Sequence, residues 1–394
     1  MFSRRTGWNR EVNRLGARLE QLRAEGRPLL DLAESNPTRV GLHPAPEALL
    51  QALSSPELVH YEPDPRGLRS AREALARKGL LSPESLLLTA STSEAYAWLF
   101  KLLCDPGDDV LIPTPSYPLF EFLTGLESVG TRAYPLRFDG EWHIDLASLE
   151  EAAGPRTRAV LVVNPGNPTG AYLKRSELEA LWELCARHDW ALLSDEVFSP
   201  YGVQPAPPDR VTQAATPDAR ALTFSLGGLS KMAGLPQLKL GWIITSGPAE
   251  LREEALARLE LVADSYLSVN APVQLGVPSL LELAEEVQQR IRARVEANRA
   301  MLGRHATREK SWSLLPSEGG WSALIRVPAR FDEEALCLQL LDEGVIVQPG
   351  YFFDFPEGRW IVLSLLPEER VFAEGIARVV HMLDGSEEPQ GVRC

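Results

Sequence analysis

Two lysines stand in a segment of the chain that otherwise has the composition of a protein interior. Between Ala221 and Ala249 the sequence reads ALTFSLGGLSKMAGLPQLKLGWIITSGPA, and Lys231 and Lys239 are its only charged residues. A buried ammonium group without a carboxylate partner is costly, and burial lowers the pKa of such a lysine. The amine is then neutral, which nucleophilic and basic lysines require. The segment therefore raises the question of what balances these two cations.

Three hydroxyl residues, Ser91, Thr92 and Ser93, follow a predicted strand and precede a predicted helix in TASTSEA. Hydroxyl and N–H groups at the start of a helix bind anions, including phosphate. The same pattern is typical of a helix N-cap, with Thr92 or Ser93 as the capping residue and Glu94 in the first turn. Both interpretations stay open at this point.

Two further polar residues come after predicted buried strands. Asn167 lies in VVNPGNPTG (162–170), which predicts either a simple turn or an amide held rigidly over a ligand. Asp195 lies in LLSDEVF (192–198), where a carboxylate at a strand end needs a cationic partner or caps a helix. The chain contains neither a GxGxxG fingerprint nor a Walker A motif, which argues against a nicotinamide dehydrogenase and a P-loop enzyme.

The elements that carry these residues alternate along the chain. Helices are predicted at 93–104, 117–130 and 174–189, between strands at 85–90, 108–115, 157–165, 190–197, 221–226 and 240–247. This alternation is typical of an α/β fold with a mostly parallel sheet, in which ligands bind at the carboxyl ends of strands. After about residue 275 the pattern indicates a smaller α+β unit, with a long amphipathic helix at 280–306, strands at 319–328 and 359–366, and helices at 333–344 and 367–384.

Composition narrows the function classes. The 394 residues carry a net charge of −14, which argues against a nucleic-acid surface. No apolar run reaches the roughly 18–20 residues that span a bilayer, and no signal peptide is recognisable, so no membrane association is expected. The four cysteines, Cys104, Cys185, Cys337 and Cys394, are scattered, which predicts reduced thiols, a cytoplasmic location and no metal site.

Taken in order, these motifs resemble the fold-type I pyridoxal-phosphate enzymes, specifically the class I/II aminotransferases. The resemblance rests on NPGNPTG, SDEVF and LSKMAGLPQLKLGW and covers essentially the whole chain. It implies a large α/β domain that binds pyridoxal 5'-phosphate at 43–275, sandwiched by helices, and a small C-terminal α+β domain at 276–394. The N-terminal segment 1–42 is expected to pack with the small domain.

The resemblance also implies residue roles around the cofactor. Lys231 forms a Schiff base with the cofactor and then moves the proton, and Asp195 keeps the pyridinium nitrogen protonated. Asn167 donates to the ring oxygen, and Tyr117 stacks on the ring or packs in the core. The residues that would hold the phosphate are Ser91, Thr92, Ser93, Ser230 and Lys239.

Two roles lie further from the ring. Tyr61, in YEPDPRGLR, is either a surface residue or reaches the phosphate of a neighbouring subunit, which implies a homodimer. Ser35 and Asn36, in LAESNPT, either contact the substrate or form a turn.

The sequence departs from the family pattern at four positions. Lys239 stands where arginine is usual, Gly228 where many relatives have a phosphate-binding serine, and Phe198 where many have a tyrosine that donates to the ring oxygen. The largest departure is Val362, which occupies the place of the arginine that holds the substrate carboxylate. Arg359 is near in sequence, but it lies three residues from Val362. Because side chains alternate along a strand, Arg359 points to the opposite face of the sheet.

The implied function is transfer of an amino group from an amino acid to a 2-oxo acid through the Lys231 Schiff base. The departure at Val362 keeps an alternative open, a β-eliminating lyase or decarboxylase of the same fold. A non-catalytic regulator is disfavoured, because only about 40 residues precede the core, the chain is acidic and Lys231 is present.

Overall fold

The structure is a computed structural model that describes residues 1–79, 81–356 and 358–385. In these ranges the chain forms twelve α-helices, several short 3-10 turns and fourteen strands. The helices are α1 (Arg14–Ala24), α2 (Pro46–Ala52), α3 (Arg69–Ala76), α4 (Thr92–Leu103), α5 (Phe120–Leu126), α6 (Leu146–Ala152), α7 (Arg175–His188), α8 (Leu229–Met232), α9 (Ala249–Asp264), α10 (Ala271–His305), α11 (Glu333–Asp342) and α12 (Glu369–Gly385).

The strands belong to three sheets. They are β1 (Leu30–Asp31), β2 (Leu86–Thr89), β3 (Asp109–Thr114), β4 (Gly130–Phe138), β5 (Trp142–Ile144), β6 (Thr157–Val163), β7 (Ala191–Asp195), β8 (Thr223–Gly228), β9 (Gly241–Ser246), β10 (Ser313–Leu314), β11 (Ser322–Arg326), β12 (Val345–Ile346), β13 (Gln348–Pro349) and β14 (Trp360–Ser364).

The large sheet has eight strands in the order β2-β9-β8-β7-β6-β3-β4-β5. Its five strands from β8 to β4 run parallel, whereas β9, β2 and β5 pair antiparallel with their neighbours. Strand β8 is buried along its whole length and β7 at all but its last residue, as expected for central strands with helices on both faces. The predicted α/β fold with a mostly parallel sheet is confirmed. The carboxyl ends of β6, β7 and β8 meet at one edge, and this edge positions the candidate site.

The small sheet is antiparallel, in the order β10-β11-β14-β13. A separate two-stranded parallel sheet joins β1, near the N-terminus, to β12, with Leu30 opposite Val345. Ion pairs between Arg14 and Glu334 and between Arg18 and Asp342 add to this connection between α1 and α11. The predicted domain boundaries stay a prediction, and residues 80, 357 and 386–394 of those ranges lie outside the described residues.

Helix α10 connects two hydrophobic cores. Its first part, with Val273 and Val277, is buried with α3, β2 and β9, and its second part, from Val287 to Leu302, is buried against the small sheet and α12. The sequence prediction began this helix at 280, after Pro278, whereas it begins at Ala271 with Asn270 as N-cap and includes Pro278. A proline inside a helix costs about 3 kcal/mol. Burial of the neighbouring apolar residues offsets that cost.

The predictions also differ from the structure at α5, at β4 and β5, and at the 16-residue helix α9, which was not predicted. Helix α5 covers Phe120–Leu126 instead of 117–130, and β4 and β5 were not predicted. These strands lie at the edge of the sheet, where much of β4 faces solvent, so they lack the continuous apolar run of β6 to β8. None of the helices in the described part of the chain is both long and apolar enough to cross a membrane.

Candidate active site

A cavity of about 770 Å³ lies between the carboxyl edge of the large sheet and the small sheet. It gathers every site residue predicted from the sequence except Asn36 and Tyr61. Its polar and charged lining residues are Asn13, Ser35, Ser91, Thr92, Ser93, Tyr96, Tyr117, Asn167, Asp195, Ser230, Lys231, Lys239, Ser322, Gln348 and Ser364.

One end of the cavity is formed by the N-terminus of α4. The N-cap is Ser91, whose Oγ accepts a hydrogen bond from the Glu94 N–H at 3.2 Å, so the prediction of Thr92 or Ser93 as the capping residue is wrong. The cap sits one residue earlier because Ser91 is the last residue with extended backbone before the helix. The Thr92 and Ser93 hydroxyls form no hydrogen bond with another described residue. Together with the first-turn N–H groups, which have no partner within the helix, they offer donors of the kind that an anion accepts.

Lys239 lines the same cavity and forms no ion pair within the described ranges. Its backbone is left-handed, with φ 52°, and it directly follows the turn Pro236–Leu238. Ser230 and Gly228 complete this part of the lining. At Gly228 a Cβ atom would lie 3.1 Å from the Leu240 carbonyl oxygen, which is a tight approach. Lys239 is thus a cation near a helix N-terminus that itself favours anions.

Lys231 stands in α8, which begins directly after β8. Its Nζ lies 5.3 Å from the centre of the Trp321 ring and 5.7 Å from that of Phe198. The Tyr201 hydroxyl donates to the Lys231 carbonyl oxygen at 2.7 Å and fixes the backbone. Burial lowers the pKa of Lys231, and the negative charges of Asp195 and Glu34 only partly oppose it. This side chain therefore has the environment of a reactive amine.

Among the described residues that line the cavity, Asp195 is the only carboxylate. It is the last residue of β7 and pairs in register with Val163 of β6. Its Oδ2 accepts a hydrogen bond from the Tyr96 hydroxyl at 2.9 Å, and its Oδ1 accepts one from the Val197 N–H at 3.2 Å. Burial raises the pKa of Asp195, while these bonds and the charge of Lys231 lower it.

Asn167 and Tyr117 reach the cavity from the loops after β6 and β3. The Ser322 hydroxyl donates to Oδ1 of Asn167 at 3.4 Å, which leaves the amide Nδ2 as a donor toward the cavity. Tyr117 keeps 43% of its surface exposed and meets Phe120 edge-on at 6.3 Å, so it is not a core residue. Phe198, the residue found in place of a tyrosine, lines the cavity and packs edge-on against Trp321.

Two predicted residues lie elsewhere. The Asn36 side chain accepts hydrogen bonds from the Thr38 N–H at 3.1 Å and the Thr38 hydroxyl at 2.8 Å, and it caps the turn Pro37–Val40. Asn36 therefore forms a turn, which was one of the two roles predicted for it. Of Ser35 and Asn36, only Ser35 lines the cavity. Tyr61 is 80% exposed and does not line the cavity.

The small sheet supplies residues that the sequence analysis did not single out. Ser322, Gln348 and Ser364 line the cavity from β11, β13 and β14. Val362 is 1% exposed and packs in an apolar cluster with Leu324 and Phe353. Arg359 is exposed and does not line the cavity, in line with the strand argument above. Of the described lining residues, Lys231 and Lys239 alone are cationic.

The chain is similar in sequence to known aminotransferases. The sequence profile of the family "Aminotransferase class I and II" matches residues 27–371. The alanine aminotransferase of Mycobacterium tuberculosis is 30% identical over 396 residues, which covers 94% of this chain and 89% of that protein. The glutamate-pyruvate aminotransferase of Escherichia coli is 26% identical, with 93% of each chain covered.

A solved structure shows the same fold. The alanine aminotransferase from Pyrococcus furiosus superposes with a TM-score of 0.84 at 21% sequence identity, covering 98% of this chain and 100% of that one.

Proposed function

Because this chain belongs to the class I and II aminotransferase family, we propose that it binds pyridoxal 5'-phosphate in the cavity and transfers an amino group from an amino acid to a 2-oxo acid. The quoted relatives carry aminotransferase names, which favours this reaction over the β-eliminating lyase or decarboxylase alternative.

The lining residues fit this cofactor. It carries a phosphate, a carbonyl group and a basic ring nitrogen. The α4 N-terminus, Ser230 and Lys239 form a site for the phosphate, Lys231 offers an amine for the carbonyl, and Asp195 offers a carboxylate for the nitrogen. The two lysines lack protein carboxylate partners among the described residues, and the cofactor would supply the missing negative charge.

Each residue then has a defined task. The bound cofactor supplies an electron-accepting ring and a carbonyl group that carries the amino group between the two substrates. Lys231 would hold the cofactor covalently, and its released Nζ would take the proton from the substrate α-carbon and deliver it to the carbon of the cofactor's former carbonyl group. Asp195 holds a proton on the ring nitrogen, Asn167 donates to the ring oxygen, and Tyr117 packs against the ring.

The observation that carries the proposal is the environment of Lys231. A lysine with a lowered pKa stands at the carboxyl end of β8, and the cavity that it enters contains a carboxylate and an anion site. A structural lysine at this place would need an ion-pair partner, and none is present within the described ranges.

A single-turnover experiment tests the reaction. The protein loaded with pyridoxal phosphate is mixed with L-alanine, L-glutamate or L-aspartate in the absence of an acceptor. We expect loss of the visible cofactor absorbance, one equivalent of 2-oxo acid per site, no ammonia, and recovery of the absorbance when a 2-oxo acid is added. The lyase alternative is tested in parallel with L-serine, whose β-hydroxyl group can leave. Continuous formation of pyruvate and ammonia from L-serine, without lasting loss of the cofactor absorbance, would contradict transamination and support a lyase.

We further propose a homodimer in which Tyr61 reaches the active site of the neighbouring subunit. Tyr61 is 80% exposed beside Val59, which is 82% exposed, and it lies outside the cavity of its own chain. Mixing Tyr61→Phe and Lys231→Ala proteins tests this, because a hybrid dimer combines Lys231 of one subunit with Tyr61 of the other in one site. Activity that returns on mixing supports sharing, and activity that stays at the level of the separate variants contradicts it.

We also infer a cytoplasmic location, in which the thiols remain reduced. Cys104, Cys185 and Cys337 are free, and burial raises the pKa of each to about 12, which makes them unreactive. Cys394 lies outside the described residues. Fractionation of the producing cell tests the location, and recovery of the protein outside the cytoplasmic fraction would contradict it.

A further inference from the structure

The few charged side chains of the cavity bear on how the carboxylate of a substrate can be bound. The described cavity lining contains Lys231, Lys239 and Asp195 as charged side chains. In the proposed function Lys231 is joined to the cofactor, Lys239 faces its phosphate and Asp195 faces its ring nitrogen. Among the described lining residues of this chain no further cation is then available for the carboxylate of an amino acid, which leaves neutral groups as its ligands within the chain.

The small sheet offers neutral groups on one face. Side chains of residues paired across antiparallel strands lie on the same face, and so do residues two apart along one strand. Ser322 pairs with Ser364, and Val362 pairs with Gln348 on its other side. The three polar residues among these four line the cavity, whereas Val362 packs in an apolar cluster.

Gln348 is the polar residue paired with Val362. It lies opposite Val362, so its amide is displaced by one strand from the place where the resemblance expects an arginine. The Gln348 side chain is half-buried and forms no hydrogen bond with another described residue. An amide has two N–H donors, and here both are available to a ligand.

Two serines, Ser322 and Ser364, lie on the same face of the small sheet as this amide. The Ser364 hydroxyl oxygen accepts from the Leu366 N–H at 3.2 Å, which leaves its own hydrogen free to donate. The Ser322 hydroxyl donates to Asn167, so it connects the small sheet to the proposed cofactor end of the cavity. The neighbouring wall is aromatic, with Trp321, Phe352 and Phe353.

We propose that Gln348, assisted by Ser364, binds the carboxylate of the amino donor and determines how strongly the enzyme discriminates for that charge. The proposal rests on the transaminase function proposed above. A neutral amide gains less from a carboxylate than a guanidinium does, because it lacks the charge and the rigid two-pronged geometry. The enzyme therefore accepts amino acids whose carboxylate has been replaced by an uncharged amide.

A matched pair of donors measures this property. L-alanine and L-alaninamide have the same carbon skeleton and differ in the charge of one group. We expect kcat/KM of wild type for the two donors to agree within about tenfold, the difference of one hydrogen bond to a charged rather than a neutral acceptor.

Substitutions at Gln348 change the charge without moving the cofactor residues. Gln348→Glu repels the carboxylate and tolerates the amide, Gln348→Arg favours the carboxylate, and Gln348→Leu removes the donors. We expect the ratio of kcat/KM for L-alanine to that for L-alaninamide to fall at least about tenfold in Gln348→Glu and to rise at least about tenfold in Gln348→Arg. The change should appear in KM, and Gln348→Leu should weaken both donors.

The outcomes separate this inference from the proposed function. The visible absorbance of each loaded variant and its thermal midpoint establish that the cofactor end is intact. If the ratio of kcat/KM for the two donors stays within twofold of wild type in both Gln348→Glu and Gln348→Arg, Gln348 does not bind the carboxylate. A cation of a partner subunit that holds the carboxylate would give this result, and it would equally overturn the role of Gln348. A wild-type protein whose absorbance responds to neither donor nor to any other amino acid contradicts the proposed function itself.

Discussion

Tyr96 donates its phenol hydrogen to Oδ2 of Asp195 across 2.9 Å, from a position on α4 where only 3% of its surface is exposed. Burial and the charge of Asp195 raise the pKa of Tyr96 well above its ordinary value, so the phenol remains a donor at any working pH. The bond fixes the orientation of the carboxylate and stabilises its ionised form. Tyr96 is therefore a positioning residue that acts through Asp195.

Substitution Tyr96→Phe should move the acid limb of the pH profile of kcat/KM to higher pH. Loss of the hydrogen bond raises the pKa of Asp195, and the carboxylate must be ionised to hold the ring nitrogen proton. We expect roughly a tenfold lower kcat/KM near neutral pH, the magnitude of one hydrogen bond to a charged group.

The matched control is Tyr134→Phe. The Tyr134 hydroxyl is buried and donates to the Leu161 carbonyl oxygen at 2.8 Å, away from the cavity lining. This variant should lose stability and leave the acid limb in place. If the two variants have the same profile, Tyr96 has only a packing role.

Substitution Lys239→Met should weaken the binding of pyridoxal phosphate much more than that of pyridoxal, which lacks the phosphate. The expected loss is tenfold or more, because one charge-assisted contact disappears. Lys239→Arg is the control that keeps the charge and should bind the phosphate as well as wild type does. Equal losses for both ligands in Lys239→Met would place the phosphate elsewhere.

Glu196 gives a prediction about stability. Its Oε1 accepts hydrogen bonds from the Ser225 hydroxyl and the Ala214 N–H, both at 2.7 Å, and burial raises the pKa of Glu196 to about 8. Because the folded state binds this proton more tightly than the unfolded state, the stabilisation is complete below pH about 4.5 and is lost as the pH rises to about 8.

Substitution Glu196→Gln should remove this pH dependence, because an uncharged amide can accept the same two bonds. We expect the stability of wild type to fall relative to the variant between pH 5 and 8, by about 1 kcal/mol per pH unit. Thermal midpoints of both proteins across this range measure the difference. A constant gap would show that Glu196 is already ionised in the folded protein.

The residues of the cavity that we propose for the cofactor were predictable from the sequence, and those that we propose for the substrate carboxylate were not. Asn167, Asp195 and Lys231 follow apolar strands within short motifs, so local pattern alone places them at the carboxyl edge of a parallel sheet. Tyr96 looks like any apolar-face residue of a helix. Its role depends on the packing of α4 against β7, which no local pattern specifies.

The position of Gln348 could not be predicted from the sequence either, because it too depends on long-range packing. Strand β13 has two residues, and the importance of Gln348 depends on its register with Val362 in β14, across the connection 350–359. Long-range register is set by the packed sheet as a whole. Strand β4 was missed because a half-solvated strand has little apolar signal, and β5 was missed because it has only three residues.

The central claim is that Lys231 holds the cofactor covalently. Borohydride reduction of the protein loaded with pyridoxal phosphate, followed by peptide mass spectrometry, tests it most directly, because reduction makes the link between lysine and cofactor permanent. We predict one pyridoxyl phosphate group per chain, on the peptide that contains Lys231, and none on the Lys231→Ala protein. Labelling of a different lysine, or equal labelling of the Lys231→Ala protein, would contradict the account.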